Sequence, residues 1–250
     1  MKILLTNDDG IYAEGLFALW KELKAIGTVK VVAPDSQRSS VGHGITLSNP
    51  IIARPIATRT GVSGIGLTGT PADCVKFALR KVLRSKPDIV VSGINLGPND
   101  GCSVFYSGTV AAAREASLYG IPAIAFSLNT FVKPDFRFAA RFAKRLIKQV
   151  LTNGLPKGTF LSVNVPSITA NKIKGIKITR QGQVPIVTKF FKMRRHKEFL
   201  SFWMSGDTPH REKKPDIDTV ALNHGYITIT PVQNDLTDYR AIRSLQDWRL

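Results

Sequence analysis

Short apolar runs, each cut off at its end by a polar, glycine-bearing stretch, recur along this chain. Ile3-Leu4-Leu5 leads into Thr6-Asn7-Asp8-Asp9-Gly10, residues 29–33 into residues 34–44, and Ile89-Val90-Val91 into residues 92–101. Between them lie stretches of helical spacing. Leu16, Leu19, Trp20 and Leu23 recur at intervals of three and four, as do Val75, Ala78, Leu79, Val82 and Leu83, the stripe that faces a core. Runs too short for helices that alternate with helical stretches make strand–helix–strand units, which are parallel crossovers by default. The fold class is therefore α/β, and in an open α/β sheet ligands bind beyond the carboxyl ends of the strands.

Further elements extend this pattern. The first helix is expected over residues 14–26 with Gly27 as C-cap. Thr70-Pro71-Ala72-Asp73 has the chemistry of a helix start: a capping hydroxyl, proline in the first turn and an acid at the positive end. Residues 44–67, rich in Ile, Thr, Val, Gly and Pro, read as one or two hairpins. Strands are expected over 121–127, 160–165 and 176–179, a helix over 136–151, an exposed alternating strand over 225–231 and a last helix over 239–248. From Gln181 the texture turns basic, aromatic and aperiodic. The expected division is a core over residues 1–180 and a C-terminal extension over 181–250: an arm, a hairpin and a final helix, packed on the core or on a partner subunit.

Composition narrows the class. With 250 residues and 43% hydrophobic content the chain can bury a full core. No run of about 18 apolar residues occurs, so no membrane span is expected, and the start reads as a strand and not as a signal peptide; the expected compartment is the cytoplasm. Cys74 and Cys102 are the only cysteines, which fits a reducing compartment and excludes a thiolate zinc site. The formal charge of +17 attracts anions without choosing among nucleotides, polyphosphate and nucleic acid. Much of it is late, at Lys189, Lys192, Arg194, Arg195, Lys197, Arg211, Lys213 and Lys214, where a solvated basic surface is the plain alternative to a binding one.

Chemistry-bearing residues sit at the strand ends. Asp8 and Asp9 repel unless a cation or a proton separates them, and oxygen ligands suit magnesium, manganese or calcium better than zinc. The competing reading of Asn7-Asp8-Asp9-Gly10 is a hairpin turn. In the next loop, Ser39 or Ser40 has a hydroxyl to offer a cation, and His43 is either a proton carrier or merely solvated. After the third strand Asn95 offers a neutral oxygen, unless it belongs to an ordinary asparagine-rich turn. Ser107-Gly108-Thr109 opens a helix rich in alanine. Small residues there leave amides bare for an anion, the alternative being a simple Ser/Thr cap. Gly64-Ile65-Gly66-Leu67-Thr68-Gly69 matches the dinucleotide pattern but follows no strongly apolar strand. A hard cation beside an anion site points to a metal-dependent phosphohydrolase, with water favoured over a phospho-enzyme.

The run Leu4-Leu5-Thr6-Asn7-Asp8-Asp9-Gly10 with Ala13-Glu14-Gly15-Leu16 resembles the opening of the SurE family of 5′/3′-nucleotidases. So do Ala33-Pro34, Gln37-Arg38-Ser39, Gly69-Thr70-Pro71-Ala72-Asp73-Cys74-Val75, Ser92-Gly93-Ile94-Asn95 and Tyr106-Ser107-Gly108-Thr109-Val110. This resemblance implies a Rossmann-like three-layer core with a mostly parallel sheet. It implies hydrolysis of nucleoside 5′- and 3′-monophosphates, with short polyphosphate as a further candidate substrate, and one divalent ion per subunit, magnesium or manganese. It implies metal ligands at Asp8, Asp9, Ser39 and Asn95, with Asp8 and Asp9 also catalytic, and phosphate near Asn99, Ser107, Gly108 and Thr109. A homodimer or homotetramer joined through C-terminal arms is the implied assembly. Two other readings compete: a basic nucleic-acid-binding protein without hydrolytic activity, which the charge and the aromatic arm favour, and a nucleotide-cofactor oxidoreductase, which rests on the glycine pattern alone.

Overall fold

In the computed structural model, which describes residues 1–195, 200–207 and 212–248, the core is a nine-stranded sheet. In chain order its strands are β1 (Lys2–Thr6), β2 (Thr28–Pro34), β3 (Ala53–Ala57), β4 (Ser63–Leu67), β5 (Ile89–Leu96), β6 (Ala123–Asn129), β7 (Thr159–Pro166) and β8 (Ile176–Ile178); then, beyond a separate hairpin of β9 (Val187–Arg195) and β10 (Leu200–Asp207), comes β11 (Ile227–Gln233). The sheet order is β3-β4-β2-β1-β5-β6-β7-β11-β8. β4, β2, β1, β5, β6 and β7 are parallel, while β3 on β4 and β11 on β7 are antiparallel. The sheet is thus mostly parallel, as the alternation of runs and helices demands.

Helices cover both faces: α1 (Glu14–Leu23) and α4 (Arg137–Asn153) one, α2 (Pro71–Phe77) and α3 (Gly108–Leu118) the other. The two-residue period of a strand is visible in the core. Ile3 and Leu5 pack with Leu16, Leu19 and Leu23 of α1, whereas Leu4 between them packs with Val75 of α2 and Val110 of α3. The capping chemistry expected at α2 is present. Thr70 accepts from the Asp73 N–H at 3.1 Å, and Asp73 accepts from the Thr70 N–H at 2.9 Å.

Several sequence expectations are corrected. α1 ends at Leu23 with Lys24 as its cap. Gly27 serves a different purpose, since a Cβ there would stand 2.5 Å from the Met1 carbonyl oxygen. Gly64 and Gly66 lie within β4 and not in the turn after it, so the dinucleotide pattern has no phosphate turn at its first glycines. The strand near residue 230 is not exposed. β11 lies between β7 and β8, with Ile227 to Thr230 buried. Thr230 is buried there, its hydroxyl paired with that of Thr179 at 2.8 Å. A boundary after residue 180 therefore cuts through the sheet: α5 (Asp218–Asn223) and β11 belong to the core, and the hairpin projects as an insertion before them.

The hairpin exposes Phe190, Phe191, Met193, Phe202, Trp203 and Met204. Of the late basic residues, Lys189, Lys192, Lys213 and Lys214 are exposed, while Lys197 and Arg211 fall outside the described residues. The last helix, α6 (Tyr239–Gln246), buries nothing. Among the described residues no helix is long and apolar enough to cross a membrane.

Candidate functional site

β2, β1 and β5 are neighbours, so the loops after them share one edge of the sheet. Asn7 is fully buried and shapes the first loop, its side chain donating to the Gly10 carbonyl at 2.9 Å and accepting from the Gly10 N–H at 3.2 Å. Gly10 has φ +100, where a side chain would be strained and would crowd Ser36 and Gln37. The turn therefore packs flush on the second loop. The Ile11 N–H donates to the Pro34 carbonyl at 2.8 Å, and the Arg38 N–H to the Asp8 carbonyl at 2.7 Å. This is no hairpin: the chain passes from β1 through the turn into α1.

Asp8 is buried, and both its oxygens are engaged by Thr109 at the start of α3. The Thr109 N–H donates to Oδ2 at 3.0 Å and its hydroxyl to Oδ1. Burial pushes the Asp8 carboxyl up to about 6; the Thr109 hydroxyl opposes this, and the charge on Asp9 adds to it. Asp9 Oδ2 accepts from the Leu96 N–H at 3.1 Å, and burial raises this carboxyl too, against that hydrogen bond. Among the described residues no Lys, Arg or His pairs with either carboxylate.

Asn95 is not in a loop. β5 resumes after an irregularity at Gly93-Ile94, and Asn95 pairs in register with Ser127 of β6. Its Nδ2 donates to the Gly97 carbonyl at 2.8 Å, which leaves Oδ1 as the uncommitted atom. Ser39 is exposed and accepts from Gln37 Nε2 at 2.9 Å; it stands one residue from the Arg38 amide that is bound to Asp8. The structure thus gathers the Asp8–Asp9 turn, the Ser39 loop and the Asn95 strand end.

The start of α3 differs from the bare tip the sequence suggests. Ser107 caps it by accepting from the Val110 N–H at 3.1 Å, and the Thr109 N–H is given to Asp8. The anion on this turn is therefore the protein's own carboxylate. Of the first-turn amides only that of Gly108 lacks an acceptor among the described residues. Gly108 itself packs on Asp8: a Cβ there would stand 2.8 Å from the Asp8 Cβ. Small residues at this helix start serve close approach as much as amide exposure.

Asn99 is buried in a polar network. Its N–H donates to Asn164 Oδ1 at 2.8 Å and its Nδ2 to Ser127 Oγ at 2.8 Å, while its carbonyl accepts from Asn164 Nδ2 at 3.1 Å. Asn164 and Ser127 escaped the sequence reading. Their signal was a polar side chain inside an otherwise apolar strand, which when buried needs a partner. Further along this loop, burial and the nearby Asp218 push the Asp100 carboxyl up to about 7. Asp218 itself is held by the Gly101, Gly182 and Thr219 N–H groups at 2.9, 2.8 and 2.7 Å.

His43 has a structural partner. Its Nε2 lies 2.7 Å from Oε2 of buried Glu115, two turns along α3, and Lys76 Nζ lies 2.7 Å from Oε1. Burial pushes the Glu115 carboxyl up, but the bonds from His43 and Lys76 outweigh it and hold it below its ordinary value. With Thr46 bonded to Asp73 through N–H and hydroxyl at 3.1 and 2.6 Å, the chain between β2 and β3 forms a strap fastened across α2 and α3.

Known proteins match this chain throughout. The family model described as Survival protein SurE matches residues 3–187. A protein named 5′-nucleotidase SurE from Syntrophobacter fumaroxidans is 43% identical over 250 residues, covering all of both chains. One of the same name from Carboxydothermus hydrogenoformans is 45% identical over 253 residues, covering 99% of this chain and 96% of that one. The crystal structure of the SurE protein from Aquifex aeolicus superposes with a TM-score of 0.85 at 39% identity, covering 98% of each chain. A family model that spans most of the sequence, full-length relatives at this identity and a shared fold lead to one conclusion: the chain belongs to the SurE family.

Proposed function

We propose that this protein is a divalent-metal-dependent phosphatase acting on nucleoside 5′-monophosphates, with 3′-monophosphates and short polyphosphate as further substrates. The observation that carries the reading is a pair of adjacent, largely buried carboxylates with no basic side chain beside them. Relatives named 5′-nucleotidase SurE support the substrate class.

The donor set fits a hard cation. Asp8, Asp9, Ser39 and Asn95 offer oxygen only, which suits magnesium or manganese. Among the described residues no group of three or more His, Cys, Asp or Glu could form a cage; two carboxylates with neutral oxygens would hold such an ion without enclosing it. When bound, such an ion polarises the phosphoryl oxygen and acidifies a bound water.

The chain's own residues set the geometry. Thr109 fixes both oxygens of Asp8. Leu96 fixes one oxygen of Asp9, leaving the other to orient the attacking water. The Gly108 N–H and the Ser107 hydroxyl face the transferring phosphate, where charge grows in the transition state. The Asn99 side chain is fixed by its own network, and Asn164 and Ser127 act through it.

The exposed apolar side chains of the hairpin, and the stripe of Tyr239, Ile242, Leu245 and Trp248 along and just beyond α6, support a homodimer or homotetramer joined through these arms. Sedimentation of Trp203→Asp against wild type checks this. The reducing cytoplasm suits the free Cys74 and Cys102.

The experiment that tests the reading is phosphate release from adenosine 5′- and 3′-monophosphate and tripolyphosphate, after chelation and re-addition of magnesium, manganese, calcium or zinc. Release should vanish with chelator, return with magnesium or manganese, and be abolished in Asn95→Ala while the fold persists. Full turnover in chelator, or in that variant, refutes it.

A further inference from the structure

Two segments that carry proposed site residues are pinned together beside the start of α3. The strap contributes Ser39 and, two residues on, Val41; the turn before α3 contributes Phe105 and Tyr106, directly ahead of Ser107. The Gly42 N–H donates to the Tyr106 carbonyl at 2.9 Å. A Cβ on Gly42 would stand 3.2 Å from the Phe105 carbonyl oxygen, and its φ of +56 favours glycine. The backbones therefore lie against each other. Val104 and Ser107 on this seam are buried, yet Val41, Phe105 and Tyr106 are 37%, 52% and 56% exposed. Among the described residues no hydrogen bond holds the Tyr106 hydroxyl.

We propose that Val41, Phe105 and Tyr106 form the subsite for the nucleobase of the substrate, one face of the base resting on the aromatic side chains. The inference rests on the phosphatase reading above and names how that site takes its substrate. The three side chains carry no charge and two of them are aromatic rings, which suits an apolar, flat occupant. It adjoins Ser107 on one segment and Ser39 on the other, so its occupant is tethered to the anion held between them. A base joined through ribose to a phosphate meets both conditions. The subsite offers ring area and a single hydroxyl, and stacking tolerates every base because each has a π face. It therefore separates base from no base far more than one base from another.

The test compares kcat/KM for adenosine 5′-monophosphate with kcat/KM for ribose 5-phosphate, which lacks the base. In Tyr106→Ala the ratio of the two should fall roughly tenfold or more, less in Phe105→Ala, while Tyr106→Phe restores it. An unchanged ratio in both alanine variants overturns the inference. So does an unchanged ratio with an altered sedimentation coefficient, which would mean that a second copy of the chain covers the patch. If wild type releases phosphate from neither ester, the phosphatase reading fails, and calorimetry with magnesium then decides the subsite. Tighter binding of adenosine 5′-monophosphate than of inorganic phosphate, lost in Tyr106→Ala, sustains it; equal binding overturns it.

Discussion

Replacing Gly108 with alanine should separate the fold of this protein from its site. Gly108 opens α3 outside the left-handed region, so the backbone accepts alanine, and the helix term is a small gain, below the ~0.5–1 kcal/mol of a helix interior. The difficulty lies in front of it. The added Cβ would stand 2.8 Å from the Asp8 Cβ, 3.0 Å from Pro71 Cγ and 3.1 Å from Asp8 Oδ2. Carbon atoms rest about 3.5–4.0 Å apart, so Asp8 must retreat by on the order of 1 Å. Overpacking of this kind costs about 1–3 kcal/mol, which the helix term partly offsets. A net loss of about 1–2 kcal/mol lowers Tm by roughly 2–8 °C in a domain of this size. A displacement of that order at a reacting group costs on the order of 100-fold in rate. Thermal melts and initial rates of phosphate release, run side by side at saturating metal, read the two effects apart. Wild-type turnover in Gly108→Ala would refute the claim that α3 holds Asp8 in its working position. Gly15→Ala is the contrast: its Cβ would stand 2.0 Å from the Ile94 carbonyl oxygen in β5, and that variant should not fold.

Three further outcomes are expected. Asp8→Asn keeps an acceptor for the Thr109 N–H and removes a buried charge, so phosphate release should be abolished with Tm within a few degrees of wild type; substantial residual release would contradict the assignment. Asp100 is held at about 7 by burial and then by Asp218, above its ordinary 3.8. The folded protein thus binds this proton more tightly than the unfolded chain. Its contribution to stability is complete below about pH 4 and is lost as pH rises through about 7, by up to about 1.4 kcal/mol per pH unit; Asp100→Asn should flatten that slope in urea titrations across the range. Glu115→Ala deprives His43 and Lys76 of their shared carboxylate. It should cost about 1–3 kcal/mol and speed limited proteolysis within residues 36–50, and an unchanged digestion pattern would show that the strap is fastened elsewhere.

The apolar runs made the parallel strands legible, because a buried strand needs little besides Ile, Leu and Val, and the strand ends pointed to Asp8 and Asp9. What stayed hidden depends on contacts between distant segments. Nothing local to Thr109 says that its amide is taken by a carboxylate at the far end of another element. Asn95 read as a loop residue because Gly93 interrupts the run, while pairing with β6 carries the strand across the break. β11 read as an exposed strand because its residues alternate. Its place between β7 and β8, with Ile227 to Thr230 all buried, shows that both faces are covered.

β11 is made after β8 and the hairpin, yet it fills the slot between β7 and β8. Among the described residues β8 has no neighbour in the sheet except β11, so on the ribosome the first seven strands can assemble while the rim of β7 stays open and β8 has nowhere to dock. An open strand rim invites pairing with other chains, and here that hazard lasts until the segment through Gln233 has left the exit tunnel. The sheet is thus finished by a strand made after all its other members, and premature stops ahead of it should yield aggregates instead of a smaller working protein.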